Sequence, residues 1–511
     1  MASLFEYNER TVLPNWRSFT QTLHFGELND FASDRPSLTS TRLTIDDYLL
    51  SWAQNKTIPI AADLLSAAFV NGFTGNTIVK EAATFIYSNK NESTDAIIRL
   101  AEGILNPRID IPQRSIVSAS IEDCIDSLKV HQSIKIIKNQ IAKYPLNPIF
   151  YVELSRLYSI IGLKQKAIQN MSVALHIIPE NRFILRAAAR LYAHFGLQEH
   201  IHNIIRKSEI VKYDPWITSA EIALATRIKR SSLFVKNGLQ MIMSGKFSYY
   251  SLTELASSIG TLEFMNGHKK KAKKLLKTAL ISPNDNSLAQ VGWILNNDYL
   301  FETNLSDYLI DNKYEALALD NYYGKKWNEA LDNSIAWFCD LPFSKRPLVF
   351  GAHIADILDR PEFARRLLIE GLISHPKDAQ IINNLAYSFA LENKLPEAES
   401  YLAKLPSSSD IDPVSKICLT ATRGLISFRK GLAQEGRELY YETLKETKSI
   451  ANRHLNLLAA LNFAREEILS RSPYVEAIMA MVDTIPDDTS YPEVDKLKIL
   501  VLDLHSKMKI T

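Results

Sequence analysis

The sequence predicts an all-α protein, a solenoid of stacked helix-turn-helix repeats, and three observations lead to this prediction. Two adjacent segments of equal length, 148–181 and 182–215, align without a gap. Within the first segment the apolar residues recur at helical spacing. Only 17 glycines occur in 511 residues. So few glycines argue against a turn-dense all-β fold and against glycine-rich phosphate loops.

The alignment of the two segments shows a true internal repeat. It pairs identical residues at one constant separation: Leu157 with Leu191, Tyr158 with Tyr192 and Gly162 with Gly196. Two proline pairs have the same separation: Pro145 with Pro179, and Pro342 with Pro376. A fixed period of this length is typical of repeat arrays, in which each unit hides its apolar face against the next.

One unit of the repeat, residues 148–181, predicts two helices joined by a turn. The face of the first helix is formed by Tyr151, Leu154 and Tyr158. The face of the second helix is formed by Ala167, Met171 and Ala174. Between them Gly162 supplies the positive φ of a helix C-terminus. Pro179 ends the second helix. Neither helix can bury its apolar face alone, so we expect the units to stack.

This unit resembles the tetratricopeptide repeat family. The family pattern is aromatic, Leu, small, Tyr, Gly, Ala, aromatic, Ala and Pro, and the residues at those places are Tyr151, Leu154, Ser155, Tyr158, Gly162, Ala167, Met171, Ala174 and Pro179. More degenerate copies follow, and the match is weak over 218–250 and 285–345. The resemblance implies a right-handed superhelical solenoid. It also implies a concave surface, lined by the first helices, on which ligand peptides lie.

We divide the chain into four parts: an aromatic-studded N-terminal arm at 1–43, an N-terminal helical region of degenerate repeats at 44–114, a tetratricopeptide-like repeat array at 115–450, and a C-terminal helical cap at 451–511. The arm is polar but carries Phe5, Tyr7, Trp16, Phe19, Phe25 and Phe31. An unfolded tail rarely has so many aromatic residues. We therefore expect the arm to fold back and seal the first helices, or to become ordered on a partner.

Composition and cysteine content limit the class of protein. The net charge of +2 does not favour a polyanion binder for the chain as a whole. The three cysteines, Cys124, Cys339 and Cys418, are far apart, which favours buried thiols in a reducing compartment over disulfides. No apolar run reaches the ~20 residues that a membrane helix needs. We expect a cytoplasmic protein without membrane insertion.

The sequence contains no pattern that predicts catalysis. It lacks a phosphate loop, a Gly-x-Ser-x-Gly motif and a His-Glu-x-x-His motif. His194, His200 and His202 are close in sequence, but their spacings do not match a helical metal site. We expect no catalytic residues, no metal site and no cofactor. An enzyme whose site is assembled between the N-terminal region and the repeats is the remaining alternative of this kind.

The resemblance also implies a set of partner-binding residues on the concave surface. Carried over by position, these residues are Arg156, Arg186, Arg190, His194, His353, Asn383, Asn384 and Tyr387. The three arginines would form a basic strip suited to carboxylates. The Lys-Asn clamp by which some family members hold a chaperone's C-terminal carboxylate is absent, because Val152 and Arg156 stand at its places. The alternative is that the eight residues are solvated and have no dedicated ligand.

Charge is uneven along the chain. Residues 201–280 contain 14 basic and 5 acidic residues, a net charge of +9, and residues 281–340 contain 3 basic and 10 acidic residues, a net charge of −7. The basic flank consists of Lys269, Lys270, Lys271, Lys273, Lys274 and Lys277. Helical spacing turns Ala272, Leu276 and Ala279 inward, so these lysines should coat the outer face of a second helix.

The basic flank permits several interpretations. It is a solvated helix face, a contact for an acidic protein surface, or a contact for a nucleic-acid backbone. Nucleic acid is the weaker partner, because no aromatic residues for base stacking lie between the lysines. The adjacent basic and acidic blocks would also suit head-to-tail self-association into a homo-oligomer.

Together these patterns predict a non-catalytic scaffold, adaptor or regulatory subunit. It would bind a protein partner through its concave groove and its basic flank. The alternatives are an RNA-binding helical-repeat protein and a self-assembling structural subunit. An RNA reader would need polar side chains at one shared set of repeat positions, and Arg156, Arg190 and Tyr387 do not form such a set.

Overall fold

The computed structural model describes residues 10–18, 45–70, 74–93, 95–105, 127–408, 411–489 and 491–510. The regular structure in these ranges consists of 25 α-helices and three short 3-10 helices. Most of the helices pack on the next one, in helical hairpins that follow one another along the chain. The predicted all-α fold of stacked helix-turn-helix repeats is confirmed. The described residues separate into two compact units.

The first unit contains residues 10–15, 127–201 and 284–510 of the described chain. Its earlier helices are α5 (Ser127–Lys143), α6 (Pro148–Ile160), α7 (Lys164–Ile177) and α8 (Arg182–His194). Its later helices are α14 (Asp285–Asn297), α15 (Tyr314–Tyr323), α16 (Trp327–Asp340), α17 (Lys345–Ile357), α18 (Pro361–Ser374), α19 (Ala379–Leu391), α20 (Leu395–Leu402), α21 (Pro413–Arg429), α22 (Ala433–Ser449), α23 (Arg453–Leu469), α24 (Val475–Val482) and α25 (Pro492–Ile510).

The second unit contains residues 16–18, 45–105 and 202–283 of the described chain. Its helices are α1 (Ile45–Gln54), α2 (Ile58–Val70), α3 (Thr77–Ser88), α4 (Asp95–Leu105), α10 (Pro215–Arg227), α11 (Val235–Met243), α12 (Tyr249–Met265) and α13 (Lys269–Ala279). The boundary between the units falls inside α9 (Gln198–Lys207). Helices α1–α4 share one hydrophobic core around Trp52, and α10–α13 share another around Leu255 and Ile259.

The starts of the first helices repeat the same cap. The side chain of Asn147 accepts a hydrogen bond from the amide of Ile149, and Pro148 occupies the first turn of α6. The side chain of Asn181, at the equivalent place of the next repeat, accepts a hydrogen bond from the amide of Ile184 in α8. Asparagine is a preferred N-cap because its oxygen binds an amide that lacks an intrahelical partner.

The turn between the two helices of a hairpin also repeats. Gly162 and Gly196 have φ of 70° and 75°. The amide of the following residue donates back into the helix, from Leu163 to the Tyr158 carbonyl at 2.8 Å and from Leu197 to the Tyr192 carbonyl at 2.7 Å. This is the Schellman turn, which satisfies carbonyls at the end of a helix.

Later hairpins use the same turn without glycine. Lys325, Asp359 and Asn393 have φ between 56° and 58°, and successive members of this set are separated by one repeat length. After Lys325, the amide of Lys326 donates to the Asn321 carbonyl at 2.8 Å. Left-handed backbone costs a residue with a Cβ roughly 1–2 kcal/mol, so these turns persist because the packed helices on both sides hold them. Of these three turns, only the one at Lys325 lies within 285–345, where the repeat is hard to recognise in the sequence.

The C-terminal segment packs as an extension of the array. Helices α21 to α25 share one continuous hydrophobic core, in which the rings of Tyr440 and Phe463 stack at 5.3 Å. Leu497 and Leu504 of α25 pack against this core. Ile499 and Leu502 on the same helix stay exposed. No helix of the described ranges is long and apolar enough to cross a membrane.

The cysteines differ in part from the expectation. Cys418 is a buried free thiol, as expected. Cys339 takes part in a disulfide, so the expectation of thiols alone is wrong for this residue, and Cys124 lies outside the described residues. Sequence separation does not show whether two cysteines meet, because bridging depends on their distance in the fold. Disulfides persist in oxidising compartments. The cysteines therefore no longer support the expectation of a cytoplasmic protein.

One contact in the first unit joins hairpins that are distant in sequence. Helix α6 packs against α18, which follows much later in the chain. A Cβ added to Gly162, in the turn after α6, would overlap the carbonyl oxygen of Ile373 at the end of α18. A Cβ added to Gly196 would meet nothing within 4 Å. The two equivalent turns therefore have very different surroundings.

We expect Gly162→Ala to destabilise the protein more than Gly196→Ala. Both changes place a Cβ on a left-handed residue, which costs about 1 kcal/mol. Only Gly162→Ala also forces α6 and α18 apart, and such overpacking adds about 1–3 kcal/mol. Thermal unfolding followed by circular dichroism measures both variants, and equal losses would contradict the contact between α6 and α18.

Candidate functional site

The arginines of the predicted concave surface lie on the first helices α6 and α8. Arg156 is buried and bound to Glu153 on the same helix, with 2.6 Å between nitrogen and oxygen. The guanidinium of Arg190 lies 5.8 Å from the ring centre of Phe343. Arg186 is partly buried. The charge of Arg156 is already neutralised by Glu153 of its own helix. The contact of these arginines with a partner stays a prediction.

Asn383, Asn384 and Tyr387 lie on α19 and join neighbouring first helices. The hydroxyl of Thr422 on α21 donates to Asn383 at 2.8 Å, and Asn383 donates to Asn384 at 3.2 Å. The hydroxyl of Tyr387 donates to Asn462 on α23 at 2.8 Å. These polar side chains form a row across α19, α21 and α23. The row fixes the spacing of the three helices, because each hydrogen bond is directional and largely shielded from water.

His353 on α17 lies where the C-terminal helix docks. Its Nε2 is 3.5 Å from the carboxylate of Glu493 on α25, and the hydroxyl of Tyr322 is 3.3 Å from the same nitrogen. His454 on α23 pairs with the other oxygen of Glu493. Burial raises the pKa of Glu493, but His353 and His454 outweigh it and hold this pKa well below its usual range. A residue predicted to face a partner therefore binds the end of its own chain.

His194 lies in a ring cluster at the end of α8. Its ring is 4.4 Å from the ring of His375 and 5.5 Å from that of Phe343. Its Nε2 is buried without a hydrogen bond. Burial lowers the pKa of His194, and His375, Arg190 and Lys345 lower it further, whereas Asp378 raises it. Burial and Lys345 lower the pKa of His375 to about 3. Both imidazoles are therefore neutral at physiological pH.

The structure reveals a site in the first unit that the sequence did not indicate. Residues 10–15 of the N-terminal arm lie against α14 and α15. The guanidinium of Arg10 meets the carboxylate of Glu315 with two bonds, of 2.9 and 2.8 Å. It also donates to Gln290 at 2.6 Å and to Asn286 at 3.1 Å. The side chains of Arg10 and Glu315 are only 2% and 9% exposed.

Side chains of α14 bind the backbone of the same segment. Gln290 donates from Nε2 to the carbonyl of Arg10 at 2.9 Å. Asn286 donates from Nδ2 to the carbonyl of Leu13 at 2.9 Å. Arg10 is bound by Gln290 and Leu13 by the earlier residue Asn286. The segment therefore runs antiparallel to α14. We call the surface formed by Asn286, Gln290 and Glu315 the arm groove.

The charge of Glu315 is stabilised from two sides. Burial raises its pKa, but the guanidinium groups of Arg10 and Arg346 outweigh burial and hold the pKa at about 2. Arg346 on α17 lies 2.9 Å from the carboxylate. A carboxylate buried between two guanidinium groups stays ionised, and it discriminates strongly for a cation in the position of Arg10.

Residues 10–15 of the arm therefore dock on the same chain. We expected the arm to seal the first helices, and residues 10–15 instead bind α14 and α15. Val12, Leu13 and Trp16 are buried, whereas Phe5, Tyr7, Phe19, Phe25 and Phe31 lie outside the described residues. Sequence spacing gave no sign that Arg10 pairs with Glu315, because 305 positions separate them. The sequence offered one indication of this site: Glu315 is an acidic residue among apolar positions of the first helix α15.

The basic flank lies on α13 in the second unit. All of its six lysines are exposed, while Ala272, Leu275, Leu276 and Ala279 are buried. Lys271 is 3.9 Å from the carboxylate of Glu263. The orientation follows the helical spacing of the sequence, and the flank is a continuous basic face. Its role in binding a partner stays a prediction.

Comparisons with known proteins give likenesses in structure alone. No family model and no curated protein matches the sequence. The crystal structure of yeast Tom70 matches with a TM-score of 0.30 and 14% identity, covering 75% of this chain and 93% of that one. The structure of Naa15/Naa10 bound to HypK-THB matches with a TM-score of 0.25 and 12% identity, covering 89% and 94%. Neither TM-score reaches 0.5, so both add nothing to what the helical hairpins show.

The described ranges contain no group of three or more His, Cys, Asp or Glu residues that could hold a metal ion. His194 and His202 are in different units. His202 instead pairs with Glu221 at 3.0 Å, inside the second unit. The chemistry available in the arm groove is recognition by hydrogen bonds and charge.

We expect the stability of the protein to fall as the pH is lowered from 7 to 5, and His375→Phe to reduce this dependence. A histidine whose folded pKa is about 3 takes up its proton only in the unfolded state, so stability is lost as pH falls below the unfolded pKa of about 6.5. Without His375, the free energy of unfolding should fall by on the order of 1 kcal/mol less between pH 7 and pH 5. Thermal unfolding at both pH values measures it. His131→Gln, at an exposed position, is the control, and equal pH dependence in both variants would contradict the expectation.

Proposed function

We propose that this chain is a non-catalytic scaffold or adaptor that binds a protein partner. The partner would bind the arm groove of the first unit and the basic flank of the second. The proposal is carried by one observation: the arm groove already holds a stretch of polypeptide that is not part of a helix. Side chains of α14 hold the backbone carbonyls of Arg10 and Leu13, which is how a surface recognises a peptide.

The helical architecture supports this role physically. Stacked hairpins contact only their neighbours over most of their length, and such arrays present extended surfaces for binding. The inner polar row at Asn383, Tyr387 and Asn462 is held by hydrogen bonds between helices. These bonds hold the helices rigid before a partner binds, which lowers the entropy that is lost on binding.

The basic flank supports an acidic partner surface. Six exposed lysines on one helix create a positive field, which speeds the approach of a negatively charged protein and weakens as salt is added. Lysine ammonium groups act as point charges and do not read base edges. We therefore propose a protein partner for this face rather than a nucleic acid.

The test is affinity capture of the full chain from native lysate of its source organism, in low and in high salt. We expect one protein in stoichiometric amount at low salt and less of it at high salt. Recovery of nucleic acid in place of protein would overturn the proposal. A chain that is recovered alone, and that sediments as a multimer, would favour self-assembly instead.

The contribution of the basic flank is measured by reversing its charge. In the triple variant Lys270→Glu, Lys273→Glu and Lys274→Glu we expect the captured partner to be lost at physiological salt, because the field changes sign. The control triple variant is Lys416→Glu, Lys445→Glu and Lys448→Glu, which reverses three exposed charges of α21 and α22. Equal capture by both triple variants would remove the basic flank from the proposed function.

A further inference from the structure

We propose that the arm groove is a receptor for a non-helical, arginine-anchored segment of a partner protein, and that residues 10–15 occupy it as a built-in competitor. The inference rests on the proposed function, since it states the chemistry of the segment that the scaffold binds. It is drawn from the contacts of Arg10, Leu13 and Asn15, and each of these contacts lies within the first unit.

The groove reads an arginine by shape as well as by charge. The guanidinium of Arg10 makes four short hydrogen bonds: two to Glu315, one to Gln290 and one to Asn286. These acceptors approach a planar group from three directions. A lysine has one charged nitrogen on a flexible stem and cannot present donors in this fork. The anchor position is therefore specific for arginine.

The groove reads the rest of the segment mainly through its backbone. Gln290 and Asn286 donate to the carbonyls of Arg10 and Leu13, and bonds of this kind tolerate any side chain. Val12 and Leu13 are buried, and the side-chain amide of Asn15 donates to Asp285 at 2.6 Å. The recognised pattern is an arginine, apolar residues two and three positions later, and an amide side chain five positions later.

None of these contacts depends on covalent continuity with the rest of the chain. A segment from another protein that carries the same groups would make the same bonds. If residues 10–15 leave without a replacement, Glu315 keeps Arg346 but loses the bidentate bond from Arg10. A buried carboxylate and two amides that lose such bonds favour the return of a guanidinium. The empty groove is thus selective for a ligand that resembles the arm.

The tethered arm makes binding conditional. A ligand on the same chain acts at an effective concentration of about millimolar, so an arm with an intrinsic Kd of about 10 µM weakens the binding of a competing peptide about 100-fold relative to an open groove. A partner must therefore bring further contacts, or the arm must be released. The basic flank offers one source of further contacts.

The test uses a fluorescein-labelled peptide with the sequence of residues 8–15, Asn-Glu-Arg-Thr-Val-Leu-Pro-Asn, and full-length protein. Fluorescence anisotropy compares wild type, Arg10→Ala, and Arg10→Ala combined with Glu315→Gln. We expect Arg10→Ala to bind the peptide at least about tenfold more tightly than wild type, since the resident guanidinium is gone. The double variant should lose that gain, and so should a peptide in which lysine replaces the arginine.

Equal affinity in wild type and Arg10→Ala would overturn the inference, and so would equal binding of the arginine and lysine peptides. If Arg10→Ala fails to fold, hydrogen exchange of wild type replaces it: excess peptide should speed exchange in residues 10–15, and unchanged exchange would refute displacement. If the wild type is a dimer and Arg10→Ala is a monomer, the arm is exchanged between two copies of this chain, and the inference is overturned. If the protein captures a partner from lysate but does not bind the peptide, the proposed function stands and only this inference is refuted.

Discussion

The structure depends on a single backbone constraint that recurs at the turn of its hairpins. Neither helix of a hairpin can bury its apolar face alone, so the chain must reverse direction within a few residues, and it does so through a residue at positive φ. Glycine occupies this position at Gly162 and Gly196, but Lys325, Asp359 and Asn393 adopt the same conformation. Tertiary packing therefore outweighs the local preference of these residues. Every other feature of the first unit is placed by the hairpins that these turns close.

Stacking also brings buried polar groups of different hairpins into contact. Tyr387 reaches Asn462 across two hairpins, and α6 reaches α18 across a much longer stretch of sequence. These contacts hold the first unit in one arrangement, because a hydrogen bond shielded from water is costly to break. The helices joined in this way form a rigid support, which is consistent with the proposed scaffold.

Both described ends of the chain bind inside the first unit. Arg10 pairs with Glu315 on α15, and Glu493 pairs with His353 on α17. In each case an ionised group of a terminal segment is buried against charges of the repeat array. Buried charges of this kind contribute little net stability compared with apolar packing, but they specify one partner geometry. Arg10 and Glu493 thus fix where the two terminal segments pack on the first unit.

The sequence alone determined the helical class, the repeat over 148–215 and the outward face of the lysines on α13, because each follows from local spacing of apolar residues and glycine. It showed the repeat only weakly around Lys325, where neighbouring helices impose the turn. It missed the arm groove, because the groove joins positions that are far apart along the chain, and it missed the disulfide of Cys339. It placed His353 and Asn383 on first helices but could not tell that the chain itself binds them. Distances between remote residues are decided by packing, and local sequence does not encode them.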